Sequence, residues 1–306
     1  MKSSSSLAVV LLLICVFSWG SVFPIAKLVL ENMSDMSLVL WRFAIATVSL
    51  LLYMLIIRQV WPKMTIQQYV VVTIVSVIGV GGLNVALFTG LQLTQPTNGA
   101  LIIALSPVVT SLFASAIAMS WPSRSQSFSL LVGLSGVLLV ITKGSLSQLL
   151  SLHFNQGDLL IMCGMLAWSF YTLCTQRISQ WMPLVPFTFM GMLAGSVTVG
   201  VVCLLSPNLH PLNELLMLPG PSFYAVVYIG LFATVVGYLF WINGVKILGP
   251  SKASLFFNFV PVFAAVTAVI MGRAVSTLQV VGMAIVILGL TLPVLVKIRQ
   301  LRSLET

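Results

Sequence analysis

Charge is what this chain of 306 residues has least of: only 6% of them are charged, where a soluble domain carries roughly 25%. Five residues are acidic and two are histidine, His153 and His210, and none of the acids lies deep in an apolar run. The scarcity excludes a soluble globular domain and leaves no buried Asp, Glu or His relay. Cysteine occurs four times, at Cys15, Cys163, Cys174 and Cys203, each inside an apolar segment and none at metal-ligand spacing. These read as small packing residues, with no metal site and no cofactor implied. The formal charge of +9 comes from basic residues scattered singly, so no patch for nucleic acid exists.

What is abundant is apolar sequence. Hydrophobic residues make up 59% of the chain and mean hydropathy is +1.13. A spanning helix needs about 20 mostly apolar residues. Ten runs qualify or nearly do: 7–29, 36–57, 67–91, 96–119, 127–143, 158–176, 185–205, 221–245, 250–271 and 277–296. The first resembles a signal peptide but lacks a small-x-small cleavage site and continues through Trp19 to Leu30, which predicts an uncleaved first helix.

Basic residues test that count. With the N-terminus in the cytoplasm, Lys2, Arg58, Lys63, Arg124, Arg177, Lys246, Lys252, Lys297, Arg299 and Arg302 fall on the cytoplasmic side, 10 of 14. Lys27, Arg42, Lys143 and Arg273 fall at the other face, with Glu31, Asp35, Asp158 and Glu214. This is a positive-inside pattern, and it places both termini in the cytoplasm.

The chain also repeats itself. Gly90–Pro107 reads GLQLTQPTNGALIIALSP and Gly244–Pro261 reads GVKILGPSKASLFFNFVP, 154 residues apart. Each copy holds five spans, an odd number, so the second enters from the opposite face. The expected fold is an all-α polytopic membrane protein of ten helices, built as two inverted five-helix repeats over 1–150 and 151–306. Such repeats are the usual signature of a transporter, with the solute near the midplane between them. Pro107 and Pro261 fall inside matched helices, where each frees a carbonyl one turn back, and are expected to act as paired hinges.

Polar and aromatic residues in the spans are the candidate site: Trp19, Phe23, Lys27, Asn84, Asn98, Trp168, Tyr171, Tyr238, Trp241 and Asn258. Apolar lipid offers such groups no partner, so they turn to the bundle interior or a wet cavity. For any single one, packing between helices is an equal reading. Lys27 and Arg42 read either as interface anchors paired with Glu31 or Asp35 or, for Lys27, as an attractor of a carboxylate. Gly191-x-x-x-Gly195 reads as a close contact within the chain, with a dimer seam as the alternative.

These residues resemble the EamA-type drug/metabolite transporter superfamily. Trp19-Gly20-Ser21-Val22-Phe23 with Lys27 and Arg42-Phe43 is similar to that family's first two helices. Gly157-Asp158-Leu159-Leu160 leading to Trp168 and Tyr171 resembles its sixth, and Tyr238-Leu239-Phe240-Trp241 through Pro261-Val262-Phe263 its eighth and ninth. The resemblance implies a cavity lined mainly by helices one, three, four, six, eight and nine. It also implies a bacterial inner-membrane exporter of small metabolites, often amino acids. The family's glutamate after the fourth and ninth helices is missing here, where Met271-Gly272-Arg273 stands.

The expected function is therefore a secondary transporter exporting a small organic metabolite by alternating access. Its partners would be that solute and the lipid bilayer, with the protein a monomer or, alternatively, a dimer. A membrane-embedded enzyme would need a cluster of Asp, His or Cys near a membrane face, and a non-transporting subunit would need a soluble domain.

Overall fold

The computed structural model describes residues 2–94, 96–142 and 154–302, and their regular structure is helical throughout. In hydrocarbon only a helix satisfies every backbone group of a single span. We number the long helices α1 (Lys2–Val29), α2 (Asp35–Ile56), α3 (Ile66–Leu93) and α4 (Pro96–Ala104 continued by Ser106–Ile117). They continue as α5 (Arg124–Thr142), α6 (Gln156–Ile178), α7 (Leu184–Leu205), α8 (Gly220–Leu248), α9 (Pro250–Ile270) and α10 (Thr277–Arg302). Among the described residues nine of these are long and apolar enough to span, and α10 adds a shorter apolar stretch, Thr277–Gly289. The protein is thus polytopic with about ten helices. Lys143 and His153 lie outside the described residues.

Helix starts follow local chemistry. Thr65 and Gln68 form a capping box at α3, Asn155 and Asp158 another at α6, and the Ser34 hydroxyl accepts from the Ser37 amide at α2. We call the membrane face with Arg58, Arg124, Arg177 and Lys246 the basic face, and that with Asp35, Asp158 and Glu214 the acidic face.

Four helices depart from regular winding, in two matched pairs. α4 breaks at Leu105 (φ −77°, ψ −11°), two residues before Pro107. α9 has a 3-10 turn, Phe256–Phe259, ending at φ −79°, ψ −15°, two residues before Pro261. The carbonyl that Pro107 frees, on Ile103, accepts from the Ser106 hydroxyl at 2.6 Å. The one that Pro261 frees, on Phe257, accepts from the Val260 amide. α3 and α8 each contain a π-helical stretch, Val77–Gly82 and Ile229–Val236, which end at equivalent repeat positions 154 residues apart. Such widened turns leave carbonyls without their regular helical donor and recur at functional sites.

Glycine sets the closest helix crossings. A Cβ on Gly136 of α5 would lie 2.7 Å from the Gly282 carbonyl oxygen of α10, and one on Gly282 would lie 2.8 Å from that of Gly136. On α7, Gly195 meets the Phe43 ring of α2, so this part of the glycine pair packs within the chain.

At the acidic face the short helix Pro211–Leu216 braces α2. Glu214 accepts from the Ser34 amide at 2.6 Å and its hydroxyl at 2.9 Å, and the Trp41 indole donates to the Pro211 carbonyl. Partial burial pushes the Glu214 carboxyl up, but the hydrogen bonds from Ser34, Ser37 and His210 outweigh it and hold it below the ordinary 4.5. A lowered folded-state pKa adds stability above the unfolded value and loses it as pH falls through the folded one. Glu214→Gln is therefore expected to lower the melting temperature at pH 7. The gap to wild type should close as pH drops below the ordinary carboxylate value. A gap unchanged by acid would show that the carboxylate charge is not what matters.

Candidate functional site

Five of the ten sequence-predicted residues meet at the centre of the bundle. Trp19 of α1 lies 5.5 Å from Trp168 of α6, 5.6 Å from Tyr238 and 5.3 Å from Trp241 of α8 between ring centroids. Trp168 stacks on Tyr171 at 5.6 Å. Phe257 of α9 joins both tryptophans, at 5.8 Å from Trp19 and 5.9 Å from Trp168. Sequence reasoning missed Phe257 in favour of its polar neighbour Asn258. A usable signal was its place in the repeated segment, four residues before Pro261. Each aromatic pair adds about 0.5–1.5 kcal/mol beyond area burial.

The π-helical stretches aim this cluster. The Trp19 indole N–H donates to the Ala233 carbonyl, inside the α8 stretch, at 2.9 Å. Gly79, inside the α3 stretch, lies so close to Tyr171 that a Cβ has no room. Asn84 and Tyr238 follow their π-helical stretches by two residues and are repeat equivalents. Both are buried, and the Tyr238 hydroxyl faces Asn84 and the Arg42 guanidinium. Arg42 donates to the Asn84 carbonyl oxygen at 2.6 Å, and the Asn84 amide group donates to the Val80 carbonyl at 2.8 Å.

The remaining candidates are placed elsewhere. Asn98 donates to Asp158 and Thr94, each at 3.4 Å, in a network that ties the starts of α4 and α6 to the end of α3. Its i+6 neighbour Ala104 is buried. Asn258 turns toward Gly133 of α5, and its Nδ2 is buried without a partner. Lys27 is exposed, and the pairing of Lys27 or Arg42 with Glu31 or Asp35 does not form. Asp35 instead accepts from Gln92 and the Met36 amide, because capping its own helix satisfies it locally. Pro107 and Pro261 flank the helix breaks described above.

Phe23 is the informative outlier. It lies one turn beyond Trp19 on the same side of α1, yet is 66% exposed. Exposed residues of α1 lie on two sides, Val10, Ile14 and Leu28 on one and Val9, Phe23 and Leu30 on the other. Gly20 packs on α9 and Ser21 bonds Tyr228 of α8. The repeat equivalent of Phe23, one turn beyond Trp168, is Thr172, which is 0% exposed. Equivalent positions of the two copies thus differ in exposure, Phe23 on the acidic-face side of the aromatic centre and Thr172 on the basic-face side. Packing agrees. Toward the basic face, Gly237–Leu248 of α8 packs on α1, α6, α7 and the start of α9, which in turn packs on Ser106–Ile117 of α4. Toward the acidic face, Val260–Ile270 of α9 packs on α1, while Leu83–Leu93 of α3 packs chiefly on α6.

Comparison with known proteins matches this arrangement to a family. Residues 6–142 and 155–295 match the EamA-like transporter family. The chain is 33% identical to the uncharacterized transporter YyaM of Bacillus subtilis over 88% of each chain. It is 25% identical to the uncharacterized transporter YrdR of the same organism, over 92% of this chain and 88% of the relative. It is also 22% identical to the uncharacterized inner membrane transporter YedA of Escherichia coli K12, over 91% and 88%. A crystal structure shares the fold at a TM-score of 0.78 and 19% identity, covering 96% of this chain and 99% of that one. This protein belongs to the EamA-like transporter family and is a multi-pass membrane transporter.

Proposed function

We propose that this transporter is a secondary carrier that exports a small organic metabolite, an amino acid or related compound, from a bacterial cytoplasm by alternating access. The observation that carries the reading is the contrast between Phe23, exposed, and Thr172, buried, at equivalent places in the two repeats. Two inverted copies with equal conformations would be open or closed alike at both faces. Unequal conformations open one face, and exchanging them opens the other. The basic face is read as cytoplasmic from its lysines and arginines, which makes the conformation outward-open.

Two further features support the exchange. The breaks before Pro107 and Pro261 give each copy a matched bend. Ser76, Tyr171, Thr172 and Trp241 each carry a buried polar atom without a partner. An unsatisfied buried polar group costs about 1–3 kcal/mol. Water would satisfy these four when the basic side opens, so the cost favours their role as path lining. The carrier acts as a monomer, since its repeats already supply both halves of the pathway.

Export is tested by loading proteoliposomes with radiolabelled amino acids and following their loss. Saturable efflux well above empty liposomes is expected for at least one of them, with acceleration by the same compound outside. Efflux equal to empty liposomes for every amino acid tested would overturn the substrate class.

A further inference from the structure

Arg42 is a cation inside the bundle without a counter-charge. It sits about two turns into α2, flanked by buried Leu38, Val39 and Ala46 rather than by the exposed stripe of Val48, Leu52 and Leu55. One terminal nitrogen donates to Asn84, the guanidinium lies 4.7 Å above the Phe43 ring, and Nε is buried with no partner. Among the described residues no carboxylate pairs with it. The acids of this face are occupied: Asp35 by Gln92 and its own helix, Glu214 by Ser34, and Asp158 by Thr94, Asn98 and Asn155.

An unpaired arginine inside a membrane span is costly. Membrane cations of this kind mark solute pathways and come with a partner. Arg42 is also held still. Asn84 fixes it through one side-chain atom and anchors itself to the Val80 carbonyl of the π-helical stretch through the other. A fixed guanidinium with free donors matches the planar two-oxygen geometry of a carboxylate, which a lysine would not. Tyr238 lies next to it, and its ring meets Trp19 at 5.6 Å.

We propose that Arg42, positioned by Asn84, binds the carboxylate of the transported solute, with the solute's apolar part on the Trp19–Trp168–Tyr238 rings. This rests on the carrier reading and narrows its substrate to organic monocarboxylates, amino acids included; a hydrophobic cation would be repelled.

The test is tryptophan fluorescence of the purified protein titrated with phenylacetate, L-phenylalanine and phenethylamine, since three tryptophans surround the site. Saturable responses are expected to one or both carboxylates below about 10 mM, and none to the amine. Arg42→Gln should weaken carboxylate binding at least about tenfold, and Arg42→Lys less. Should Arg42→Gln not melt cooperatively, Asn84→Asp serves instead: it pairs with Arg42, keeps the fold and should abolish carboxylate binding. Equal binding of amine and acid, wild-type binding in Arg42→Gln or Asn84→Asp, or no saturable response to either carboxylate would overturn the proposal. Carboxylate binding without flux into proteoliposomes would leave this site standing and remove the carrier reading. Flux indifferent to Arg42→Gln would do the reverse.

Discussion

Trp19→Ala is expected to reduce flux at least about tenfold at equal expression, and Trp19→Phe to fall between it and wild type. Trp19 touches four of the other five rings of the cluster: Trp168 on α6, Tyr238 and Trp241 on α8, Phe257 on α9. Its indole N–H also caps the Ala233 carbonyl of the α8 π-helical stretch. Truncation to alanine costs about 3–5 kcal/mol when a buried aromatic is removed from a packed site. Trp19 is only partly buried, so less of that cost should fall on the fold. The loss should appear in transport, because the ring joins α6, α8 and α9 at the centre of the bundle. Phenylalanine restores a ring but not the N–H, worth about 1 kcal/mol as a hydrogen bond, so it isolates the tie to Ala233. The measurements are initial efflux from proteoliposomes and melting temperature in detergent. Wild-type flux in Trp19→Ala would remove the aromatic cluster from the pathway.

Much of this was legible in the sequence, for reasons that differ by residue. The spans are readable because hydrocarbon admits little but helix. The meeting of Trp19 with Trp168 is readable because both hold the same place in the two copies, four residues after Cys15 and five after Cys163. The partner of Asn98 was not legible: it is Asp158 at a helix start, a contact 60 residues away in sequence. The π-helical stretches were not legible. One extra residue in a turn leaves no periodicity change in an apolar run, and only the cluster Gly79, Gly81 and Gly82 hinted at it. Arg42 was visible as a charge but not as a site, since its partner Asn84 becomes its neighbour only once α3 is wound with the wider turn.

The asymmetry between the copies predicts opposite reactivity at two equivalent positions. In a background with Cys15, Cys163, Cys174 and Cys203 replaced, Phe23→Cys should react with a membrane-impermeant maleimide added outside intact cells, and Thr172→Cys should not. Thiols react as thiolates in water, and a buried thiol has neither the water nor the access. Phe23 is 66% exposed and Thr172 0% exposed, so the expected rate ratio is at least about tenfold and grows with the bias between the two conformations. The same pair labelled from the cytoplasmic side of inverted vesicles reads the other conformation. Any Thr172→Cys labelling there reports the fraction open to the basic side. A transportable solute that favours that conformation must raise Thr172→Cys labelling from the cytoplasm and lower Phe23→Cys labelling from outside together, because one equilibrium controls both. Labelling of both positions from outside would mean a continuous pore rather than an alternating path. Labelling of Phe23→Cys only from the cytoplasm would reverse the assignment of the basic face. Independent changes at the two sites would dissolve the coupling between the halves that alternating access requires.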